Sequence, residues 1–585
     1  MILKSAKCPP DEVAIKSLFL GPSAENADWL EGLLRQIFQS WYAWRKQINF
    51  KDGRAISEED QRLDAFIAQQ LHTKKIISEI VKMFENEIPK FSPRYIGHMF
   101  SEISMPALLG HFITLLHNPN NISPEASFVG TEVENEAIGL LKKIVGYSDG
   151  VGHFTSGGTV ANFEFLFRAR ERMARWLATG VAFGKCNLIE SAHMGWNNFA
   201  QIDKNTSKAD VQKFYILNNG RDAYDQILRK TNSVLGEPLL LVSASKHYSW
   251  PKAMHLLGMG ESNIGYIELD QSGRACAKSL KKEIQSAIKC SRPILGVVAI
   301  VGTTELGTVD PVDSISSVLQ EFRNNEGYDI WLHVDGAYGG FMGSLVNDPV
   351  NKGESLVSDA LESSLKAIAM SDSITLDPHK LGYVPYSSGA FICQDQKNYF
   401  MRSFTGPYIV SEEKNIGNYT LEGSRSSAGA VATYASIKSF DSSGGYKKLL
   451  KRTIQAKKDF ESKIRKLNFN VYIPQGLDTN ILCFAPIGNA KTLNEMNQLT
   501  LTLYSRIQES REYWISKTTL NKHYFDKLIS QLSISERIEC DCENLELLRL
   551  TLMNPFTVSK EGAVDHISSF CTLLESEFAK INQAQ

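Results

Sequence analysis

Ile330-Trp331-Leu332-His333-Val334-Asp335-Gly336-Ala337 and the hexapeptide Thr375-Leu376-Asp377-Pro378-His379-Lys380, whose lysine lies 45 positions beyond Asp335, decide how this chain is read. Ile330 to Val334 is a short apolar run of strand type, and Gly336, Gly339 and Gly340 follow it. An Asp at the C-terminal end of such a strand stands where open α/β sheets bind ligands. Taken singly, Asp335 also reads as a turn or helix cap. A lone lysine is nearly always a solvated surface group. Read as a pair, the two residues point to a pyridoxal phosphate (PLP) site. Lys380 would hold the cofactor as a Schiff base, and Asp335 would keep the pyridine nitrogen protonated, so that the ring accepts electrons.

The surrounding pattern is that of an α/β protein. Leu239-Leu240-Leu241-Val242, Gly296 to Val301, Ile330 to Val334 and Ala390-Phe391-Ile392-Cys393 are candidate strands separated by helical stretches. Strands continuous in apolar residues imply a mainly parallel sheet covered on both faces. Residues 1–130 are expected to be a helical arm, with helical apolar spacing from Asp28 to Trp44 and from Leu63 to Phe84. Pro89, Pro93, Pro106, Pro119 and Pro124 then break the chain. Such an arm buries little surface alone and calls for a second subunit. Residues 131–425 form the expected large domain. Residues 426–585 form an expected C-terminal α+β domain, with a strand at Asn480 to Phe484 and turns at Gly444-Gly445 and Gly488-Asn489.

Composition narrows the function classes. With 585 residues the chain can build more than one domain. Sixty-three Lys and Arg against 65 Asp and Glu give a net charge of -2, so neither nucleic acid nor an anionic membrane is an expected partner. Nine Cys, with no C-x-x-C, form neither an evident disulfide framework nor a zinc site, and Cys540-Asp541-Cys542 is too tight for a zinc knuckle. No metal is expected. No apolar run reaches about 18 residues, and Met1 to Pro10 lacks a signal core. The expected location is the cytoplasm.

Further candidates gather around the Lys–Asp pair. Thr155-Ser156-Gly157-Gly158-Thr159 precedes a helical stretch, so Gly158 and Thr159 suit a phosphate at a helix N-terminus, or an ordinary turn with Thr159 as N-cap. His247, after the strand at Leu239, suits stacking on a pyridine ring and proton transfer, or a structural role. Thr304 suits a bond to the ring hydroxyl or a substrate carboxylate, and equally a turn. His379 suits a phosphate contact. Ser424, in Leu421-Glu422-Gly423-Ser424-Arg425, suits phosphate binding, with a surface loop as the equal reading. Tyr386 and Tyr408 are candidate proton donors, or packing residues among 20 tyrosines.

Taken together the chain resembles the group II PLP-dependent amino-acid decarboxylases, and among them the bacterial tyrosine decarboxylases. The resemblance spans nearly the whole chain. It is carried by Arg94-Tyr95-Ile96-Gly97-His98-Met99, Lys246-His247-Tyr248-Ser249-Trp250, Ile294 to Val298, His333 to Gly340, Asp377 to Tyr386, and Leu548-Arg549-Leu550-Thr551-Leu552-Met553-Asn554-Pro555. It implies PLP fold type I, with a mainly parallel seven-stranded sheet, a helical N-terminal arm and an α+β small domain. It implies a Schiff base at Lys380, a salt bridge from Asp335 to the pyridine nitrogen, and a ring held between His247 and Ala337. Gly158, Thr159 and His379 would surround the phosphate. Tyr386 and Tyr408 would serve protonation, and His98 and Thr551 would line the substrate pocket. A homodimer with active sites at its interface is implied. So is decarboxylation of an L-amino acid, tyrosine to tyramine and CO2 first. Glutamate, aspartate, phenylalanine or dopa are alternative substrates, and a carbon–carbon lyase or a non-catalytic PLP-binding paralogue are alternative roles. Gly157-Gly158-Thr159 and Gly336 depart from residues common in close relatives.

Overall fold

The structure is a computed structural model that describes residues 12–347, 357–404, 415–441, 445–558 and 564–584. Seven strands form its main sheet: β1 (Val151–Thr155), β2 (Leu239–Ser243), β3 (Ile264–Ile267), β4 (Ile294–Ile300), β5 (Leu332–Gly336), β6 (Ser373–Leu376) and β7 (Gly389–Cys393). Their order across the sheet is β1-β7-β6-β5-β4-β2-β3. Strands β3, β2, β4, β5 and β6 run parallel, while β7 is antiparallel to both neighbours, β6 and β1. This is the mainly parallel seven-stranded sheet of PLP fold type I.

Strand β5 begins at Leu332 rather than Ile330 and ends on Gly336. Asp335 is therefore the penultimate residue of the strand, paired in register with Ile300 of β4 and Thr375 of β6. The alternation of side chains shows why the strands read as continuously apolar. Val297, Leu332 and Val334 join one buried cluster, while Leu295, Val298 and Trp331 join another on the opposite face. The second face is covered by the long helix Gly158–Phe183. Its Phe165 is fully buried, stacking on His333 at 4.4 Å and meeting Trp250 and Trp331 edge-on. Helices Phe128–Val145, Ala277–Lys289, Val312–Glu326 and Asp359–Ala367 supply the first face.

A second, antiparallel sheet has the order β10-β11-β9-β8, built from β8 (Val471–Tyr472), β9 (Ile481–Pro486), β10 (Ser516–Asn521) and β11 (Asn544–Thr551). One face packs under helices Gly445–Ile464, Leu493–Ser510 and His566–Ala584. The other, through Ile481, Cys483, Leu545 and Leu547, belongs to the same buried cluster as Val297 and Val334. The helices expected near the N-terminus are present as Ala27–Ile48 and Asp64–Phe84. Helix Asp64–Phe84 buries none of its residues. No helix among the described residues is long and apolar enough to cross a membrane.

The segment 94–104 ties these parts together. Ile96 donates its amide to the Trp514 carbonyl at 2.9 Å, and Thr551 donates its own to the Ile96 carbonyl at 2.8 Å. Eight residues on, Ser104 donates to the Tyr383 carbonyl at 3.0 Å, beside the loop that carries Lys380. Phe165 is the side chain on which the sheet and its covering helix depend most visibly. Phe165→Ala should lower the unfolding free energy by about 3–5 kcal/mol. Chemical denaturation followed by fluorescence would measure this, and a change below 1 kcal/mol would contradict the packing described.

Candidate functional site

The C-terminal ends of β4, β5 and β6 and the start of helix Gly158–Phe183 enclose a cavity of about 340 Å³. Gly158, Thr159, His247, Thr304, Asp335, Ala337, His379 and Lys380 all line it, although they span more than 220 positions of sequence. This is the location that a parallel sheet reserves for ligands, beyond the carboxyl ends of its strands.

Asp335 is 5% exposed. Its Oδ2 accepts hydrogen bonds from Asn162 Nδ2 and Trp250 Nε1, each at 3.0 Å. Asn162 is itself oriented by Thr375 Oγ1, which donates to its Oδ1 at 2.8 Å. The Ala337 amide approaches Asp335 Oδ1 at 3.3 Å, so the turn-capping reading describes part of what this carboxylate does. With Oδ2 doubly engaged, Oδ1 has capacity left for a ligand.

Lys380 follows β6 and is 21% exposed at its side chain. Its Nζ lies 3.0 Å from Asp377 Oδ2, and His379 Nε2 lies 3.5 Å from the same oxygen. Asp377 Oδ1 is buried with no hydrogen-bond partner. The His379 Nδ1 accepts from the Ser388 amide at 3.1 Å, which leaves Nε2 toward the cavity side and Asp377. Burial is the main influence on His379 and lowers its pKa, with Asp377 opposing. His247 is likewise held low, by burial first, against the pull of Asp335. Its Nδ1 accepts from the Ser249 amide at 3.2 Å, so the neutral ring carries its proton on Nε2.

Helix Gly158–Phe183 starts beside Asp377 with no side-chain cap. Gly157, not Thr159, is its N-cap, and its φ of 156° lies at the edge of the region that favours glycine. The first amides of the helix are left to an external acceptor, and the helix dipole favours an anion there. A Cβ on Gly158 would stand 2.8 Å from Asp377 Oδ2 and 3.0 Å from the Ala337 Cβ. Ser245 also lines the cavity. An amine, a carboxylate with a free oxygen and a phosphate-ready helix end share one cavity. These residues fit PLP.

The other expected residues lie elsewhere. Tyr386 lines an adjoining cavity of about 230 Å³ that shares His379 and Lys380 with the first. Its ring stacks on His379 at 4.2 Å. Burial of its hydroxyl, then the charge of Asp377, pushes its pKa up to about 12, although 56% of the residue remains exposed. Ser424 accepts a hydrogen bond from Asn120 Nδ2 at 3.1 Å and lines neither cavity. Thr551 is buried and donates to the Gly97 carbonyl at 3.0 Å. His98 stacks on Phe100 at 6.0 Å, and Phe100 meets Tyr386 edge-on at 6.2 Å. Tyr408 lies outside the described residues. Asn162, Trp250, Asp377 and Arg549 were not anticipated. Arg549 is 4% exposed; its Nη1 reaches the Gly97 carbonyl and Ser516 Oγ at 3.2 Å, while Nε and Nη2 have no partner. Asn162 stands one helical turn after Gly158, and Arg549 two strand positions before Thr551, so both spacings held a readable signal.

The geometry thus defines a fold type I PLP enzyme. Residues 223–486 match the family model described as the pyridoxal-dependent decarboxylase conserved domain. The chain is 29% identical to the L-tyrosine decarboxylase of Enterococcus faecium, covering 93% of this chain and 95% of that one. It is 30% identical to a protein of Methanothermobacter thermautotrophicus named as a probable L-tyrosine/L-aspartate decarboxylase, covering 62% and 76%. A solved Oryza sativa TDC structure with PLP and tryptamine superposes with a TM-score of 0.63 at 16% identity, covering 95% and 99%. The chain belongs to the group II PLP-dependent amino-acid decarboxylases.

The cradle around Gly158 generates a direct test. Gly158→Ala should raise the PLP dissociation constant about tenfold or more, equivalent to about 1.4 kcal/mol. Titration of the apoprotein with PLP, read by absorbance, would detect this. An unchanged constant would show that the close approach at Gly158 does not matter to the cofactor.

Proposed function

We propose that this decarboxylase acts on L-tyrosine, giving tyramine and CO2. The observation that carries the reading is a second cavity next to the Lys380–Asp335 one, sharing His379 and Lys380 with it and walled by Phe100, Tyr383 and Tyr386, which suits an aromatic side chain. Similarity to the Enterococcus faecium enzyme supports the same substrate.

In this reading Lys380 anchors PLP covalently, and Asp335 Oδ1 holds the proton of the ring nitrogen. Asn162 and Trp250 hold the Asp335 carboxylate in its orientation. His247 covers one side of the ring and Ala337 the other. Gly158, Thr159 and His379 take the phosphate, and Thr304 lines the same cavity; Ser424, which lines neither cavity of its own chain, would contribute from the loop of a second copy. When bound, the cofactor supplies an acceptor for the electron pair that the departing CO2 leaves at Cα. Arg549, a buried guanidinium that lines neither cavity, ties the Gly97 carbonyl to β11. His98 and Thr551 stand beside it, both against Gly97, as the substrate-facing end of the N-terminal segment and of β11. The proton that replaces CO2 at Cα comes from a neutral group; Tyr386 stays protonated at neutral pH, and Tyr408 and His247 are the other donors we assign.

Two further parts of the reading concern the assembly. We infer that the division of the chain follows residues 1–130, 131–425 and 426–585, and that two copies form a homodimer in the cytoplasm. Helix Asp64–Phe84 exposes Ile67, Leu71, Ile77, Val81 and Phe84 on one side, an apolar stripe that a second copy would cover.

Two measurements test the proposal. Purified protein with added PLP, given a panel of L-amino acids, should release CO2 and amine from tyrosine with the highest kcat/KM. Lys380→Ala should abolish that turnover and the absorbance of the bound cofactor. Exclusive turnover of aspartate or glutamate would refute tyrosine and leave the family assignment standing. For the assembly, Leu71→Asp with Val81→Asp should shift the dimer toward monomer in sedimentation velocity. A wild-type monomer at micromolar concentration would contradict the dimer.

A further inference from the structure

The smaller cavity beside Lys380 is lined by two residues whose buried polar atoms have no hydrogen-bond partner among the described residues. Its walls include Ser101 and Glu102 from the segment that runs between the second sheet and the Lys380 loop. Glu102 is 8% exposed, and its Oε2 is buried with no hydrogen-bond partner. Ser101 Oγ, on the adjacent residue, is buried and unpartnered as well. Leaving a buried polar group unpaired costs about 1–3 kcal/mol. Both residues line the cavity, and a ligand bound there that reached these atoms would supply the partners they lack. Burial, and then the charge of Glu25, pushes the Glu102 carboxyl up to about 7, so near neutral pH its neutral form, which both donates and accepts, is present beside the carboxylate.

The remaining walls restrict the ligand. Phe100, Tyr383 and Tyr386 are aromatic. Lys90 also lines the cavity, but its ammonium is engaged by Glu87 at 3.2 Å, and Lys380 is engaged by Asp377 at 3.0 Å. A side-chain carboxylate entering here would meet Glu102 with both lysines already paired. Ligand pockets usually exceed about 300 Å³, so a space of about 230 Å³ suits one portion of a ligand whose reacting end lies in the neighbouring cavity.

We propose that this cavity receives the side chain of the substrate, and that Glu102, assisted by Ser101, hydrogen-bonds its hydroxyl and so selects phenolic over acidic and unsubstituted aromatic amino acids. The inference rests on the tyrosine decarboxylase reading and names the residue that sets its substrate class.

The test compares tyrosine with phenylalanine, which differ by that hydroxyl alone, in the PLP-loaded wild type, Glu102→Leu and Glu102→Gln. Glu102→Leu should reduce the ratio of the two kcat/KM values by about tenfold or more, chiefly by lowering the value for tyrosine. Glu102→Gln, which keeps a donor and an acceptor, should hold the ratio within about threefold of wild type. Tyramine and phenethylamine, titrated calorimetrically, should show the same loss of discrimination without turnover. Removing an unpaired buried carboxyl should leave the Tm of Glu102→Leu equal to or above that of wild type; a group needed only for folding would lower it. An unchanged ratio in Glu102→Leu, or an equal fall for both amino acids, would overturn the role of Glu102 while the tyrosine reading stands. Failure of the wild type to act on tyrosine would overturn both.

Discussion

A carboxylate buried near the end of a central strand must be met by donors, because an isolated charge in such a place is costly to desolvate. Much of this protein's architecture meets that requirement at Asp335. Asn162 comes from the helix covering one face of the sheet, and Trp250 from the helix after β2. Thr375, on the neighbouring strand, sets the orientation of Asn162. Three elements are thereby held in register around one oxygen, Oδ2, while the second faces the cavity. The same helix that carries Asn162 presents its uncapped N-terminus to that cavity, beside Asp377. One helix therefore relates the anion-binding end of the site to the carboxylate end, with only Gly158 to Asn162 between them. The spacing between the two sites is as rigid as the first turn of a buried helix.

Much of this was legible in the sequence because parallel strands buried on both faces announce themselves as apolar runs. Residues 239–242, 296–301, 330–334 and 390–393 each coincide with a strand, though β5 starts two residues later than its apolar run suggested. Strand β6 was not legible: Ser373-Ile374-Thr375-Leu376 is short and half polar, and its Ser373 and Thr375 hydroxyls are engaged by His333 and Asn162, which only the fold brings near. Strand β1, Val151-Gly152-His153-Phe154-Thr155, hid for the same reason, its His153 being buried against Glu164 and Tyr399. A polar residue in a strand carries no periodic signal of its burial when its partner lies far off in sequence.

The candidate site divided along the same line. Gly158, Thr159, His247, Asp335, His379 and Lys380 sit at strand or helix ends, where a local motif marks the position, and the structure brings them to one cavity. Asp377 stands only three residues before Lys380, yet its pairing with that amine depends on the backbone turn after β6. Trp250 and Arg549 read locally as an ordinary core aromatic and an ordinary strand residue. What distinguishes Arg549 is burial with two free nitrogens, a property that exists only once the segment 94–98 has been laid against β11.

That segment separates two problems that the chain solves with different parts. The cofactor cavity is built from the main sheet and its covering helices, whose geometry is set by a continuous hydrophobic core. The cavity beside it is closed by a single irregular strip, whose ends are pinned to the second sheet at Ile96 and to the Lys380 loop at Ser104. Between those pins the residues are free of ladder constraints, so Phe100, Ser101 and Glu102 can change without disturbing the sheet that positions Asp335. Chemistry common to a family then resides in the rigid part, and on the proposal made above discrimination among amino acids falls to the strip. A buried carboxyl left unpaired in the strip is tolerable on this view, because a destabilised residue there loads the binding step and not the scaffold.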